Sequence, residues 1–444
     1  MDRRDILKGA GAFTLFGAAG CVTQLSPSVP PNMEAAFFYA FPLYEMARLE
    51  QQAAKGSGLG GAFNTIVHRA ELADHTFRAV TAPNNDTVYS FAWLELSGGP
   101  IEVVSPTDTE RYFSVAFMDM FTDNFAVIGT RATQGQGGRF WVAGPQWAGS
   151  PPAGVKVLRS TTNDVWVGGR VLVDGPGDLA AARALQERIT VSPVGARGPA
   201  KPYAAMAISV TDPENFLAVV NDVLARSPGG KGQTARATPF AAFGIGAGVR
   251  ASPEMLEAWR VYLPKGIESL RNPLIAKPEI IDGWRYSPRN FGDFGIDDRL
   301  RASVALQGVG ALIEAEAMYM STVPDASGTP ISGTQAYHWR VPAGGIPVDA
   351  FWSLTMYQLE SDGRSFLVDN PIRRYSIGDR TRGLVKNADG SLDILIQHEA
   401  PAGPLAANWL PSPSGPMRLS LRAYLPRKEL RDRTWRVPPI ERVS

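Results

Sequence analysis

Few residues in this chain have types and spacing that suit chemistry, and they cluster in one stretch. Pro83-Asn84-Asn85-Asp86-Thr87-Val88-Tyr89 places two amides, a carboxylate and a phenol where a turn runs into an alternating strand. Asn and Asp bond their own backbone at turns, so the same stretch also suits a plain structural corner. Read for function, Asn84, Asp86 and Tyr89 line one wall of a pocket, with Phe91 and Trp93 on Tyr89's face as an apolar floor. Asp86, Asp119 and Asp123 are the carboxylates of this region. Two of them within reach of each other can divide acid and base roles; otherwise they cap turns. His338, set in Tyr337-His338-Trp339-Arg340, is a titratable group among aromatics and a candidate base, with a structural histidine as the plainer reading. From the C-terminal half, Tyr357 and Arg374 are expected to approach the same wall. Arg374 and Arg382 can hold an anion bidentately, or pair internally with Asp369 or Asp379. The catalytic candidates are therefore Asp86, Tyr89, Asp119 and His338, and the ligand-binding candidates Asn84, Tyr357 and Arg374.

Several chemistries are excluded. The sequence has no G-x-S-x-G elbow, H-E-x-x-H, P-loop or Rossmann fingerprint; Gly244-Ile245-Gly246-Ala247-Gly248 lacks the flanking pattern. His68, Glu71 and His75 would share one face of a helix and suit a metal there, or simply form a solvated face. No metal or organic cofactor is assigned. Lys+Arg 44 against Asp+Glu 43 gives a net charge of +1, so no attraction to nucleic acid is implied. A single cysteine, Cys21, rules out disulfides within the chain and cysteine-rich metal sites.

The elements that would position these residues follow an exported leader. Arg3-Arg4-Asp5-Ile6-Leu7-Lys8 before a short apolar run, Gly9 to Ala19, reads as a twin-arginine signal peptide, which sends folded chains to the periplasm or cell envelope. Ala18-Ala19-Gly20-Cys21 resembles a lipobox with Ala18 where leucine is usual, so Cys21 is expected to carry a lipid anchor. That anchor would be the chain's only link to a membrane; an incidental cysteine is the alternative. Residues 22–31 form a linker. Asn32 is an expected N-cap for a helix from Met33, which Pro42 should kink or break.

From Phe77 to Pro145 the pattern is extended. Helical spacing follows at Asp178–Ile189, Asp212–Arg226, Ser252–Leu270 and Arg301–Tyr319. Strands return after Gln335, including Phe351–Tyr357, Leu392–His398 and the alternation of Met417, Leu419, Leu421 and Ala423 with Arg418, Ser420, Arg422 and Tyr424. The fold class is mainly β with helices. Sandwich domains are expected over 32–170 and 331–444, with a helical segment over 171–330 between them.

Pro83–Ser90, Trp93-Leu94-Glu95-Leu96, Arg111-Tyr112, Asp119, Gly129-Thr130-Arg131 and Gly144-Pro145-Gln146-Trp147 resemble the DUF1254 family. Phe351–Tyr357, Asn370-Pro371, Arg374-Tyr375-Ser376-Ile377, Asp389-Gly390-Ser391 and Asn408-Trp409-Leu410-Pro411 resemble its companion, DUF1214. The resemblance implies two antiparallel, jelly-roll-like β-sandwich domains joined by helices, and brings no activity with it. Two function classes remain. One is an envelope protein that binds a small molecule or glycan between its sandwiches, with room for a homo-oligomer. The other is a cofactor-independent hydrolase or lyase using carboxylate, Tyr and His groups. Convergence of two carboxylates with a tyrosine or histidine favours the enzyme; the same groups used on turns favour binding.

Overall fold

Alternation along Thr87–Glu95 (β2) sets the first half of the molecule. Val88, Ala92 and Leu94 turn to one side, while Tyr89, Phe91 and Trp93 turn to the other. The structure, a computed structural model, describes residues 29–443 apart from 57–59, 79–80, 229–231, 273–274, 276, 324–330 and 362. Strand β2 pairs with β1 (Ile66–His68) and β8 (Asp164–Leu172); β8 carries β4 (Phe113–Asp119), and β5 (Asn124–Gly129) forms the edge, all antiparallel. A second sheet packs across it in the order β7 (Lys156–Arg159), β6 (Gly138–Ala143), β3 (Ile101–Ser105) and β9 (Thr190–Pro193), with β7 parallel to β6. Val88, Leu94, Val103, Val115, Phe140 and Val165 fill the space between. Helix α2 (Leu179–Gln186) packs against that core through Ala182 and Leu185.

Helices cover part of the other face of β2, β4 and β8. Helices α1 (Met33–Ala54), α3 (Pro213–Arg226), α4 (Pro253–Arg271) and α5 (Asp298–Gln307) share a core with Phe91, Trp93, Met118 and Trp166. The Asp212 side chain caps α3 at the Glu214 and Asn215 N–H groups, and Ser252 caps α4 at Met255. Two expectations for α1 are corrected. Asn32 is left-handed and makes no side-chain cap, and the helix continues through Pro42. Nearly every residue from Ala36 to Ala47 is buried, so packing holds the helix despite the missing bond.

The second sandwich has one sheet in the order β10 (Glu279–Ile281), β11 (Trp284–Tyr286), β12 (Ala317–Thr322), β19 (Met417–Pro426), β14 (Val348–Leu359) and β15 (Ser365–Leu367); β16 (Ser376–Gly378) also pairs with β14. The facing sheet runs β18 (Trp409–Pro411), β17 (Leu392–Gln397), β13 (Tyr337–Val341) and β20 (Glu441–Arg442). Trp339, Trp352, Leu354, Met356, Ile394, Leu419 and Leu421 form the core between them. The fold is thus mainly β, two largely antiparallel sandwiches with helices. The helix expected over Arg301–Tyr319 ends at Gln307, and Ala317 opens a strand. Gly308 and Gly310 end the helical run, and Met318 and Met320 then alternate with Tyr319. Residues 171–330 therefore hold three strands of the second sandwich as well as helices.

Candidate functional site

The Pro83–Thr87 turn is the joint between the two sandwiches. Asn84 Oδ1 accepts from the N–H groups of Asp86 (3.0 Å) and Thr87 (3.1 Å), which shapes the entry to β2. Its Nδ2 donates to the Tyr424 hydroxyl at 3.2 Å. Ser353 Oγ donates to Asp86 Oδ2 at 2.6 Å, and Arg380 Nη2 stands 3.3 Å from Oδ1. The Tyr357 hydroxyl donates to the Pro83 carbonyl at 2.6 Å, and burial pushes it up to about 12, so it keeps that proton at neutral pH. Arg422 Nη2 donates to the Ala82 carbonyl at 2.7 Å. Tyr357 does reach the Asp86 stretch from the second sandwich. Asn84 and Asp86, however, are buried in the joint with their side-chain oxygens already partnered, and do not form an open wall.

Beside this joint the facing sheets carry side chains that are only partly buried. Tyr89 stacks on Phe91 with ring centroids 5.4 Å apart, and Phe91 on Trp166 at 5.8 Å. The Arg170 guanidinium stands 5.7 Å from the Tyr89 ring centroid and donates to the Gly310 carbonyl at 2.7 Å. Across from them is one face of β11, β12, β19 and β14. Register pairs Arg285 with Ser321, Ser321 with Ser420, Tyr319 with Arg422, and Tyr357 with Arg418. Alternation along each strand puts Arg285, Tyr319, Arg418, Arg422 and Tyr357 on that one face. Tyr319 lies within the electrostatic reach of Arg170, Arg422 and Tyr89, which brings the two sheets together around it.

Tyr89, Tyr319, Ser321, Arg285 and Arg418 are only partly buried although they stand on inward faces. Their remaining accessible surface marks the region between the layers, termed the gap. The Tyr89 hydroxyl makes no hydrogen bond among the described residues. Arg285 Nε is buried without a partner, and Arg418 makes no hydrogen bond or ion pair among the described residues. Burial pulls Arg285 below the usual arginine range; burial, then the positive Arg285, does the same to Arg418.

The remaining candidates stand elsewhere. Asp119 closes the far end of β4, in register with Val165 and so with Leu94 rather than Thr87. Seven residues of strand, roughly 23 Å, separate that end from the joint. Its oxygens accept from the Phe121 and Asp123 N–H groups and the Thr161 hydroxyl, so it anchors a turn; of the three carboxylates its neighbour is Asp123, itself paired with Arg301, and Asp86 stands apart. His338 lies on β13 of the other sheet, with Nε2 2.9 Å from Asp393. Arg374 is also corrected. Its guanidinium donates to the Ala407 and Trp409 carbonyls, and the arginine that reaches Asp86 is Arg380. His68 is on a strand and bonds the Ser90 hydroxyl, while His75 bonds Tyr375, so the expected helical face does not form. Cys21 lies outside the described residues.

An open depression of about 390 Å³ beside α5 is lined by Ile275, Lys277, Asp297 and Arg299. Its Arg299 pairs with Glu34 at 2.8 Å and its Asp297 caps α5, so those charges are already matched.

Fold and site together define a two-sandwich protein riveted at an Asn-Asp corner, with arginine and tyrosine turned inward beside the rivet. Residues 63–193 match the family described as protein of unknown function (DUF1254), and residues 316–428 match protein of unknown function (DUF1214). The chain thus carries a DUF1254 domain followed by a DUF1214 domain. The crystal structure of the VPA0106 protein from Vibrio parahaemolyticus is similar over 93% of this chain and 98% of that one, at 25% identity and a TM-score of 0.70. A putative uncharacterized protein from Burkholderia cenocepacia is matched over 91% of this chain and 89% of that one, at 12% identity and a TM-score of 0.45. No curated protein matches.

Proposed function

We propose that the protein is an exported envelope protein that binds a small molecule or glycan in the gap between its two sandwiches. The observation that carries this reading is Tyr89, half-buried with its hydroxyl unbonded among the described residues, backed by the buried Phe91 and Trp166 rings and opposite a polar sheet face. Few polar groups on a mostly apolar wall are the usual build of a small-molecule site. Export and anchoring rest on Arg3-Arg4, the apolar run and Cys21. Among the described residues no helix is long and apolar enough to cross a membrane. The hydrolase or lyase alternative needs its acid and base groups to converge. Asp86, Asp119 and His338 stand in three separate places, each with its own structural partners, and that favours binding.

The test is a metabolite screen by thermal unfolding of the full chain in detergent, because a ligand that binds only the folded state raises the melting temperature. Hits should lose their effect on Tyr89→Ala. Hits that keep their full effect on that variant bind elsewhere and overturn the reading.

A further inference from the structure

We propose that the ligand of this gap carries an oxyanion, a carboxylate or phosphate, held by Arg285 and Arg418. The inference rests on the binding reading above and names its chemical class. Arg170, Arg285, Arg418 and Arg422 stand on the inward faces, and none is ion-paired to a carboxylate among the described residues. By contrast, Arg111, Arg131, Arg226, Arg236 and Arg301 each hold an Asp or Glu. The carboxylates nearest the gap are already matched, Asp86 by Arg380 and Glu316 by Arg131.

Within the four, the arginines divide into two pairs. Arg170 and Arg422 donate to the Gly310 and Ala82 carbonyls and the Thr355 hydroxyl, so their positions are fixed by the protein itself. Arg285 and Arg418 donate to nothing among the described residues. Two guanidinium groups on one sheet face, with no acceptor, carry a desolvation cost that an oxyanion would offset. Register sets Ser321 and Ser420 in the row that starts at Arg285, and Arg418 lies two residues from Ser420 on the same side. The two arginine Cα positions are therefore two strand spacings apart across the sheet and two residues apart along it, about 12 Å in all, which long side chains can close around one anion. The guanidinium fork matches a carboxylate or phosphate edge, and the serine hydroxyls add donors. Tyr89, the partly exposed ring on the opposite wall, suits an apolar or aromatic body for the same molecule, and buried Phe91 and Trp166 stack behind it.

The experiment titrates the full chain in detergent with sodium phosphate, citrate and benzoate, and with maltose as a neutral probe. Ionic strength is held constant so that general screening is the same in every sample. At least one oxyanion should raise the melting temperature saturably. Arg285→Gln and Arg418→Gln should each weaken its apparent affinity at least about tenfold. Both variants should melt at or above the wild type without the probe, because an unmatched, partly buried cation has been removed. Arg418→Lys keeps the charge without the fork and should fall between. Arg382→Gln, an exposed arginine outside the gap, should leave the titration unchanged.

No saturable rise with any of the three oxyanions, or a rise that survives both glutamine substitutions, overturns the inference. Maltose stabilisation that is lost on Tyr89→Ala, with no oxyanion effect, removes the anionic class and leaves the gap-binding reading standing. An oxyanion effect that survives Arg285→Gln, Arg418→Gln and Tyr89→Ala removes both.

Discussion

Ser353 of the second sandwich donates a 2.6 Å hydrogen bond to Asp86 of the first, and both residues are buried. Arg380 completes the corner by meeting the other Asp86 oxygen at 3.3 Å and donating to the Val173 carbonyl at 2.9 Å. A hydrogen bond to a charged group typically contributes about 1.5–3 kcal/mol, and a buried acceptor left alone costs as much. Asp86→Asn should therefore lower stability by about 2 kcal/mol, and Ser353→Ala by a similar amount. Urea unfolding checks both. Wild-type midpoints for the two variants would show that the corner is not a rivet.

A second buried pair sits at the far end of the first sheet. Arg226 holds Asp164 through two hydrogen bonds at 2.5 and 2.6 Å, and its Nη1 donates to the Lys201 and Pro202 carbonyls. Both side chains are almost wholly out of solvent. Removing one partner leaves an unmatched buried charge, which typically costs about 3–5 kcal/mol. Asp164→Ala should lose that much in urea unfolding, while Asp164→Asn, which keeps an acceptor, should lose less. Equal losses would mean that the retained acceptor contributes nothing there and that the lost charge sets the whole cost.

Asp119 gives a pH signature. Burial, and then the neighbouring Asp123 carboxylate, raise it to about 6, against about 3.9 in an unfolded chain. A carboxyl raised by folding favours the folded state while protonated. Its contribution is complete below about pH 4 and is lost as the pH climbs through about 6. The span amounts to about 3 kcal/mol. Asp119→Asn still accepts from the Phe121 and Asp123 N–H groups and cannot ionise. Its stability relative to wild type should rise between pH 4 and 7, read by urea unfolding at each pH. A constant difference across that range would show that Asp119 titrates normally.

Cys21 follows small residues at the end of the apolar run, where a lipoprotein signal peptide is cut. It should be the acylated first residue of the mature chain, with several acyl chains because a single one holds only marginally. Mass spectrometry of membrane fractions decides this. An unmodified Cys21, or a mature terminus elsewhere, removes the anchor.

Local patterns made much of this architecture legible. Asp212 and Ser252 marked the starts of α3 and α4, and the alternation from Met417 to Tyr424 marked β19. The Asn84–Tyr89 stretch pointed to the place where the sandwiches meet, and Tyr357 reaches it from the second sandwich. Two things were hidden. Apolar residues at helical spacing over 301–319 masked the glycine break and the strand behind it. The polar side of β19 reads as solvent-facing, because one strand's pattern cannot tell water from a second polar layer. Arg418 and Arg422 were therefore visible in the alternation without being legible as a site. The choice of Arg380 over Arg374 at Asp86 rests on the path of the chain after β16, which no local motif encodes.

Gly310 controls one wall of the gap. Its φ of +85° is a conformation that side chains resist, and a Cβ there would stand 2.9 Å from the Trp166 ring. Only glycine lets this turn press against Trp166 while its carbonyl accepts from Arg170. Gly310→Ala should cost about 1–3 kcal/mol through backbone strain and the crowded ring. The larger consequence should be local. Moving the carbonyl releases Arg170 from its anchor beside Tyr89, and shifting Trp166 disturbs the stack with Phe91. Tryptophan fluorescence of the folded variant should change along with the lower unfolding midpoint, and ligand hits from the screen should weaken on it. A variant with wild-type stability, spectrum and ligand response would show that the 308–312 turn does not hold the wall.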